Sequence, residues 1–440
     1  MKKQAEFLTA IMSVMLTITL AGCKGKNSNA STGGDSSGGD SSSGQQSLPD
    51  DDAYINGYVE GYSDGYNDGK TSGSEEGYEQ GFEEGHEEGY DEGYEQGKED
   101  QEKLDHDYRT IHTAERLQYL NSENYKVVPE GINGSSEKSK PVPLVFSVQE
   151  SPLFTFSEVT SSTLVLSEEN SFTHYTSVDG VDCEFQIDNL KINTKYYYYY
   201  YAETTHGTFY SDIKEFFVNN EAPRLVNIDG VTNARDDGGW KVSGEDKYTK
   251  QGIIYRMSRL HTASTTFITA KGIQQFQDLG IKTEIDLRNT DDSIGDLESK
   301  VPGVAYQNYP MDLSNSFFTD DDNRDSIKDT LKLMSNKDNY PLMFHCSIGT
   351  DRTGFISFII NALAGVEERD LYRDYLMSNY ANIGGARDHA AITNYLNFLK
   401  ADYEGVNDLS NGAKNYMLDL GLTKGEINNI KGILLGDIAI

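Results

Sequence analysis

The chain has 440 residues and a formal charge of −33, from 71 acidic and 38 basic side chains. An excess of anions on this scale argues against a nucleic-acid partner, because such binding rests on neutralising phosphates with Lys and Arg. The length allows two or three domains with cores of their own, and the charge is unevenly spread: residues 221–440 carry 23 Lys+Arg and 32 Asp+Glu, a net of −9, which leaves −24 to the first half.

The N-terminus, MKKQAEFLTAIMSVMLTITLAGCKGKNS, has two lysines, a short apolar run and small residues leading into Cys23. That is the pattern of a secretory signal. The stretch LAGC (20–23) resembles the lipobox of bacterial lipoproteins, which implies removal of residues 1–22 and lipidation of Cys23. An uncleaved anchor is the alternative. Both place the rest of the chain outside the cytoplasm, tethered to a membrane, with Cys183 and Cys346 as free thiols.

Residues 23–52 are Ser/Gly-rich, hold too few apolar side chains for a core, and read as a flexible linker. From Gly57 to Gly97 glycine recurs at every fourth position, usually followed by Tyr or Phe and then acids. A helix would gather these glycines and rings into adjacent stripes. Each glycine costs a helix about 1 kcal/mol relative to Ala, so close approach to a second helix, and hence self-association, is one reading. A partly helical acidic stalk over 53–121 is the other. The pattern is similar to the Gly-x-x-x repeats of adaptor proteins in iron–sulfur assembly. Leu104, Tyr108, Ile111, Leu117 and Leu120 keep helical spacing, which extends the expected helix to about residue 121.

Over 140–219 the pattern changes to short runs such as PLVFSV, TLVLSE, CEFQIDNL and KYYYYYYAET, separated by turn residues. Period-two alternation rich in Val, Phe and Tyr predicts an all-β sandwich. Leu190 followed six residues later by Tyr196 resembles the tyrosine corner of a fibronectin type III domain. Tyr196, Tyr198 and Tyr200 then point inward, and Tyr197, Tyr199 and Tyr201 form an outward face expected to pack on the neighbouring domain. Cys183 reads as a buried strand residue.

Residues 222–440 alternate apolar strands with helical patterns, the signature of an α/β fold with a central sheet flanked by helices. Within it NYPLMF reads as a strand, HCSIGTDR as a loop and TGFISFIINALAGV as a buried helix. Strand, loop and helix N-terminus in that order build an anion cradle from amides that lack an intrahelical partner. The same amides, the helix dipole and a nearby guanidinium stabilise a thiolate, so Cys346 should titrate below an ordinary cysteine. Arg352 suits the grip on a phosphoryl group, because its planar fork matches two equatorial oxygens. No G-x-x-x-x-G-K-[ST] is present and no lysine lies in the loop, which excludes a nucleotide-type P-loop. His345 has no second Cys/His cluster to complete a metal site, and no cofactor is implied.

HCSIGTDRTG matches the His-Cys-x5-Arg-[Ser/Thr] signature of cysteine-dependent tyrosine phosphatases. NARDDGGW (233–240), IIYRMSRL (253–260), LGIKTEIDLRNTDD (279–292) and RDYLMSN (373–379) resemble, in order, further elements of the bacterial tyrosine phosphatase family related to dual-specificity and lipid phosphatases. The resemblance covers about half the chain. It implies attack of Cys346 on phosphorus, a cysteinyl-phosphate intermediate, and hydrolysis by water. It further implies a phosphate loop of Ser347, Ile348, Gly349, Thr350, Asp351 and Arg352, a Thr353 hydroxyl that stabilises the departing thiolate or caps the helix, and His345 as an orienting residue. An aspartate some thirty residues upstream supplies the leaving-group proton in such enzymes. Asp312, 34 positions before Cys346, fits, and Asp351 is its rival. Asn233, Arg235, Asp286 and Arg288 read as supports of the fold.

Relatives acting on phosphoinositides often carry lysine where this chain has Thr350, and a polyphosphorylated group needs that charge. A phosphorylated protein carrying phosphotyrosine, or another small aryl phosphate ester, is therefore the first expected substrate, and inositol phosphates or phosphoinositides the second. A surface adhesin on an inactive phosphatase platform is the non-enzymatic alternative, disfavoured because nucleophile, arginine, hydroxyl and candidate acid are all present.

Overall fold

The computed structural model describes residues 107–129, 132–150, 152–261, 267–289, 297–314 and 317–440. Cys23, the Ser/Gly linker and the Gly-x-x-x repeat lie outside the described residues.

The first part is built from β1 (Tyr108–Arg109), α1 (Ala114–Leu120), β2 (Leu144–Ser147), β3 (Val159–Ser167), β4 (Thr176–Asp179), β5 (Glu184–Ile187), β6 (Thr194–Thr204), β7 (Gly207–Tyr210) and β8 (Lys214–Val218). A six-stranded sheet runs β1-β8-β6-β3-β4 with β7 on β6, and β2 pairs with β5 in a second sheet. The alternation of the tyrosine run decides the packing. Tyr196, Tyr198 and Tyr200 are buried, and Phe146 of β2 sits 4.7 Å from the Tyr198 ring, so the two sheets meet through aromatic faces. Tyr196 Oη accepts from the amide of Lys191 at 2.8 Å, closing a corner where the chain enters β6.

Three expectations are corrected here. The helical spacing that began at Leu104 does not continue through Tyr108. Tyr108 and Arg109 pair in parallel with Phe217 and Val218, completing the open edge of β8, and helix begins only at Ala114 after the Thr113 cap. Pairing with an unfilled sheet edge outweighs a weak local propensity. Cys183 is half-buried and lies in a turn: Asp182 and Cys183 have φ of +51° and +64° between the mutually hydrogen-bonded Val181 and Glu184. That is a two-residue hairpin turn with both central residues left-handed, built without the usual Asn-Gly signal. Two of the outward tyrosines find ring partners within the sandwich itself: among the described residues Tyr199 meets Phe172 edge-on at 5.1 Å and Tyr201 meets Tyr210, tilted, at 5.6 Å.

The second part contains β9 (Arg235–Asp236), β10 (Ile254–Met257), α2 (Ala270–Asp278), β11 (Thr283–Asp286), β12 (Ala305–Asn308), α3 (Asp321–Met334), β13 (Leu342–His345), α4 (Asp351–Ala364), α5 (Glu368–Met377), α6 (Ala390–Asp402), α7 (Leu409–Asp419) and α8 (Lys424–Leu434). The sheet order is β12-β11-β13-β10-β9, with only β9 antiparallel. Both faces are covered, as a parallel sheet requires. Along β13 Leu342 and Phe344 join the core under α4, while Met343 joins Phe276 of α2 on the other face. Helix α4 is buried from Arg352 to Ala364 and ends in a left-handed Gly365, where the Val366 amide returns to Asn361 O.

The boundary expected at residue 121 also moves. Tyr119 and Leu120 of α1 belong to the core around α4, and Arg116 is buried with its guanidinium on the carbonyls of Lys138 and Lys140 at 2.8 and 2.7 Å. Segments on both sides of β2–β8 thus build one α/β core. The sandwich is clasped to it where buried Arg224 donates to Leu190 O and to Asp236, and where Gln251 bonds both backbone groups of Ile192.

Candidate active site

Strand β13 ends at His345, level with Met257 of β10 and Asp286 of β11. Cys346 therefore emerges at the carboxyl ends of parallel strands, where α/β sheets bind ligands. The chain then turns through Gly349, at φ +72°, to enter α4. A Cβ at Gly349 would lie 2.4 Å from Met257 O, so only glycine lets the loop pass this close to β10.

Buried donors hold the loop's carbonyls. Asn233 Nδ2 donates to Ile348 O at 3.0 Å, an Arg256 terminal nitrogen to Gly349 O at 2.9 Å, and the Arg259 amide to Ser347 O at 3.4 Å. In a planar trans peptide the N–H points opposite the C=O. Anchoring three successive carbonyls outward turns the amides of Ile348, Gly349 and Thr350 toward the concave side of the loop, beside the N-terminus of α4. The donors are themselves fixed. Asp374 of α5 binds Arg235 at 2.8 Å and Arg256 through its second oxygen, and Arg235 holds Asn233 Oδ1 at 2.6 Å. Burial alone would raise the Asp374 carboxyl, but the Arg235 and Arg256 guanidiniums outweigh it and hold the group below the usual range. Ser139, ahead of the sandwich, accepts from the Asn233 amide at 3.2 Å.

Cys346 is 2% exposed at the base of this cradle. Burial works against its ionisation, yet the Arg352 charge and hydrogen bonds from the Thr353 hydroxyl and amide prevail, leaving the thiol below the ordinary cysteine value. Thr353 Oγ1 has no other hydrogen-bond partner among the described residues. The helix cap is Thr350, so Thr353 is not the capping residue. Arg352 donates to Met311 O at 2.9 Å and Leu287 O at 3.3 Å, with Ser347 Oγ at 3.4 Å. Those contacts tie the ends of β11 and β12 to the loop.

His345 is fully buried. Its ring meets Glu284 Oε1 at 3.0 Å and Cys346 O at 3.1 Å. Burial would lower the imidazole, but Asp286 and the Glu284 hydrogen bond raise it above its ordinary value. Asp286 in turn carries Arg288 at 2.6 Å and the Tyr306 hydroxyl at 2.8 Å.

The two candidate acids have contrasting surroundings. Asp312 is exposed, one residue beyond the Met311 carbonyl that Arg352 binds. Asn289 Nδ2 donates to its Oδ1, and Asn323 of α3 clasps its backbone, accepting from the amide at 2.8 Å and donating to the carbonyl at 3.1 Å. Asp351 opens α4 with its carboxylate already engaged: Arg387 reaches both oxygens at 3.2 Å, and the Tyr375 hydroxyl donates at 3.2 Å.

Residues 226–436 match the family model described as "Tyrosine phosphatase family". Over this segment the chain is similar to that family. Over 205 residues the chain is 23% identical to a Cupriavidus necator protein provisionally named a tyrosine-protein phosphatase, a match covering 37% of this chain and 68% of that protein. Among solved structures, the core catalytic domain of the PP-IP phosphatase Siw14 from S. cerevisiae, in complex with citrate, is 17% identical with a TM-score of 0.25, over 33% of this chain and 84% of that one. A second structure of the Siw14 catalytic core is 16% identical with a TM-score of 0.22, over 34% of this chain and 93% of that one.

The site also uses residues to which the sequence assigned no role. Arg256 could have been noticed as a charge inside the apolar run IIYRM, since an arginine in a buried strand needs partners. Asp374 lies in RDYLMSN, whose resemblance gave that aspartate no role, while Asn323 lies on an amphipathic helix and Arg387 follows a Gly-Gly turn, where nothing local marks them.

Proposed function

We propose that the chain is a cysteine-dependent phosphomonoesterase, exported and tethered to a membrane through Cys23, with phosphotyrosine or another aryl phosphate as its substrate. One observation carries the reading: a buried thiol with a lowered pKa sits under a loop whose carbonyls are pinned outward, beside a guanidinium and an unshared hydroxyl.

The Cys346 thiolate attacks phosphorus in line, forming the S–P bond as the P–O bond to the leaving group breaks. Loop amides and Arg352 hold the equatorial oxygens and strengthen as charge redistributes in the transition state. Asp312 gives its proton to the leaving oxygen. As carboxylate it then takes a proton from the water that attacks the cysteinyl phosphate, and the S–P bond breaks with Thr353 donating to the departing thiolate. The ion pair on Asp351 supports an orienting role there and leaves the acid to Asp312. Thr350, buried and bonded to Asn233 Nδ2 at 3.3 Å, brings no cation to the loop, which favours a monoester over a polyphosphorylated headgroup.

The full chain should hydrolyse p-nitrophenyl phosphate and a phosphotyrosine peptide faster than inositol polyphosphates, and Cys346→Ser should release no phosphate from any of them. Preference for the inositol polyphosphates overturns the substrate order; activity surviving Cys346→Ser overturns the mechanism. Cys23→Ser should move the protein out of the membrane fraction.

A further inference from the structure

Asp351 is the only acid in the signature loop, residues 345–353, and a carboxylate there is an electrostatic problem. A negative group in the first turn of α4 suits the helix dipole, but it occupies the field meant for an incoming phosphate and repels it. It also works against the Cys346 thiolate. Among the described residues, Arg387 sets a cation against it from outside the motif. Arg387 lies 36 residues on, in the loop between α5 and α6, with its Nε and one terminal nitrogen each 3.2 Å from a different Asp351 oxygen.

Its reach is set by its backbone, which is held at both ends by one side chain: Asn379 Oδ1 accepts from the Arg387 amide at 2.6 Å, and Asn379 Nδ2 donates to its carbonyl at 2.9 Å. The second terminal nitrogen bonds Gly385 O at 3.0 Å, within a turn made by left-handed Gly384 and Gly385. The pair is partly open to solvent, with Arg387 at 30% and Asp351 at 19% side-chain exposure, and Arg387 also interacts electrostatically with Cys346. Among the described residues, Tyr375 of α5, Tyr395 of α6 and Cys346 also feel this carboxylate.

We infer that Arg387 is a positioning residue for anion binding: forked across Asp351, it cancels the loop's one negative charge and keeps that carboxylate turned away from the bound phosphate. The inference rests on the phosphate-cradle reading of the Cys346 loop. It makes Arg387 and Asp351 a unit, so removing the cation alone should harm binding and removing both charges should not.

The test compares alkylation of Cys346 in the full chain by iodoacetate, an anion, and by iodoacetamide, a neutral reagent of similar size, read at that residue by mass spectrometry. Arg387→Gln should lower the iodoacetate-to-iodoacetamide rate ratio about tenfold at low ionic strength and less in high salt. Adding Asp351→Asn to the same chain should restore the ratio to within about threefold of the parent, and Arg387→Lys should retain most of it. An unchanged ratio in Arg387→Gln, or a loss that Asp351→Asn fails to restore, overturns the inference. Should Arg387→Gln not fold, Asp351→Asn alone decides, since the ratio must then rise above the parent's and a failure to rise overturns it. Alkylation needs no turnover, so a chain that hydrolyses no ester would still answer this question, and failure of the phosphatase reading would be seen separately.

Discussion

The phosphate loop and the Asp312 loop meet at Arg352 and are built on opposite principles. The side-chain supports of the phosphate loop are buried: Asn233, Arg235, Arg256 and Asp374 lie behind it with their polar groups bound to one another. The Asp312 side chain is exposed, and two asparagines hold its loop. On the proposed mechanism, the difference follows from what each must do. Amides that stabilise a transition state must be in place before the reaction, and a rigid low-dielectric scaffold provides that. A residue that exchanges protons with a leaving group and with water needs access to both.

The comparison predicts a graded series. Cys346→Ser should lower kcat on p-nitrophenyl phosphate by roughly 10⁴-fold or more; a smaller loss would mean the loop does not carry the nucleophile. Asp312→Asn should lower kcat about 10²-fold and flatten the limb of the pH profile set by the acid, while Asp351→Asn should keep that limb. The reverse pattern would exchange the roles of the two aspartates. Asp374→Asn should destabilise the chain by about 3–5 kcal/mol in urea unfolding, because it leaves two buried guanidiniums without their shared charge. No comparable loss is expected from Asp312→Asn, and finding one would erase the contrast between the loops.

A smaller effect concerns Asp237, which lies behind the phosphate loop, bonded to Ser357 Oγ at 2.6 Å. Burial, then the neighbouring Asp374 charge, pushes its carboxyl up from 3.8 to about 7. The folded state keeps a proton that the unfolded chain releases above about pH 4. Its contribution to stability is therefore present at low pH and lost as pH rises from about 4 to about 7. Asp237→Asn should reduce that loss, measured as the urea midpoint across this window; an unaltered profile would remove Asp237 from the network. Smallest, and far from the chemistry, Tyr196→Phe should cost about 1 kcal/mol for the lost bond to the Lys191 amide and leave kcat within about twofold.

Part of this was legible in sequence because it is local. Strand, loop and helix around Cys346 are contiguous, and the alternation of the tyrosine run fixes which rings face inward whatever the sheet pairs with. Cys183 shows where locality fails, since CEFQI alternates like a strand while Asp182 and Cys183 turn a hairpin with no glycine or asparagine to mark it. Tyr108 fails for another reason: its helical spacing is sound, but the edge of β8, more than a hundred residues away, offers hydrogen bonds that a short helix cannot match.

The sequence by itself determined the candidate nucleophile and its immediate surroundings: a cysteine between an apolar strand and a buried helix, with an arginine and a threonine at helical positions behind it. Only the tertiary structure decided what holds that loop open and what balances its charge, because Asn233, Arg256, Asp374 and Arg387 come from four separate segments. Buried charges choose partners by distance in space, and the chain's order carries no record of that distance until the core has closed around them.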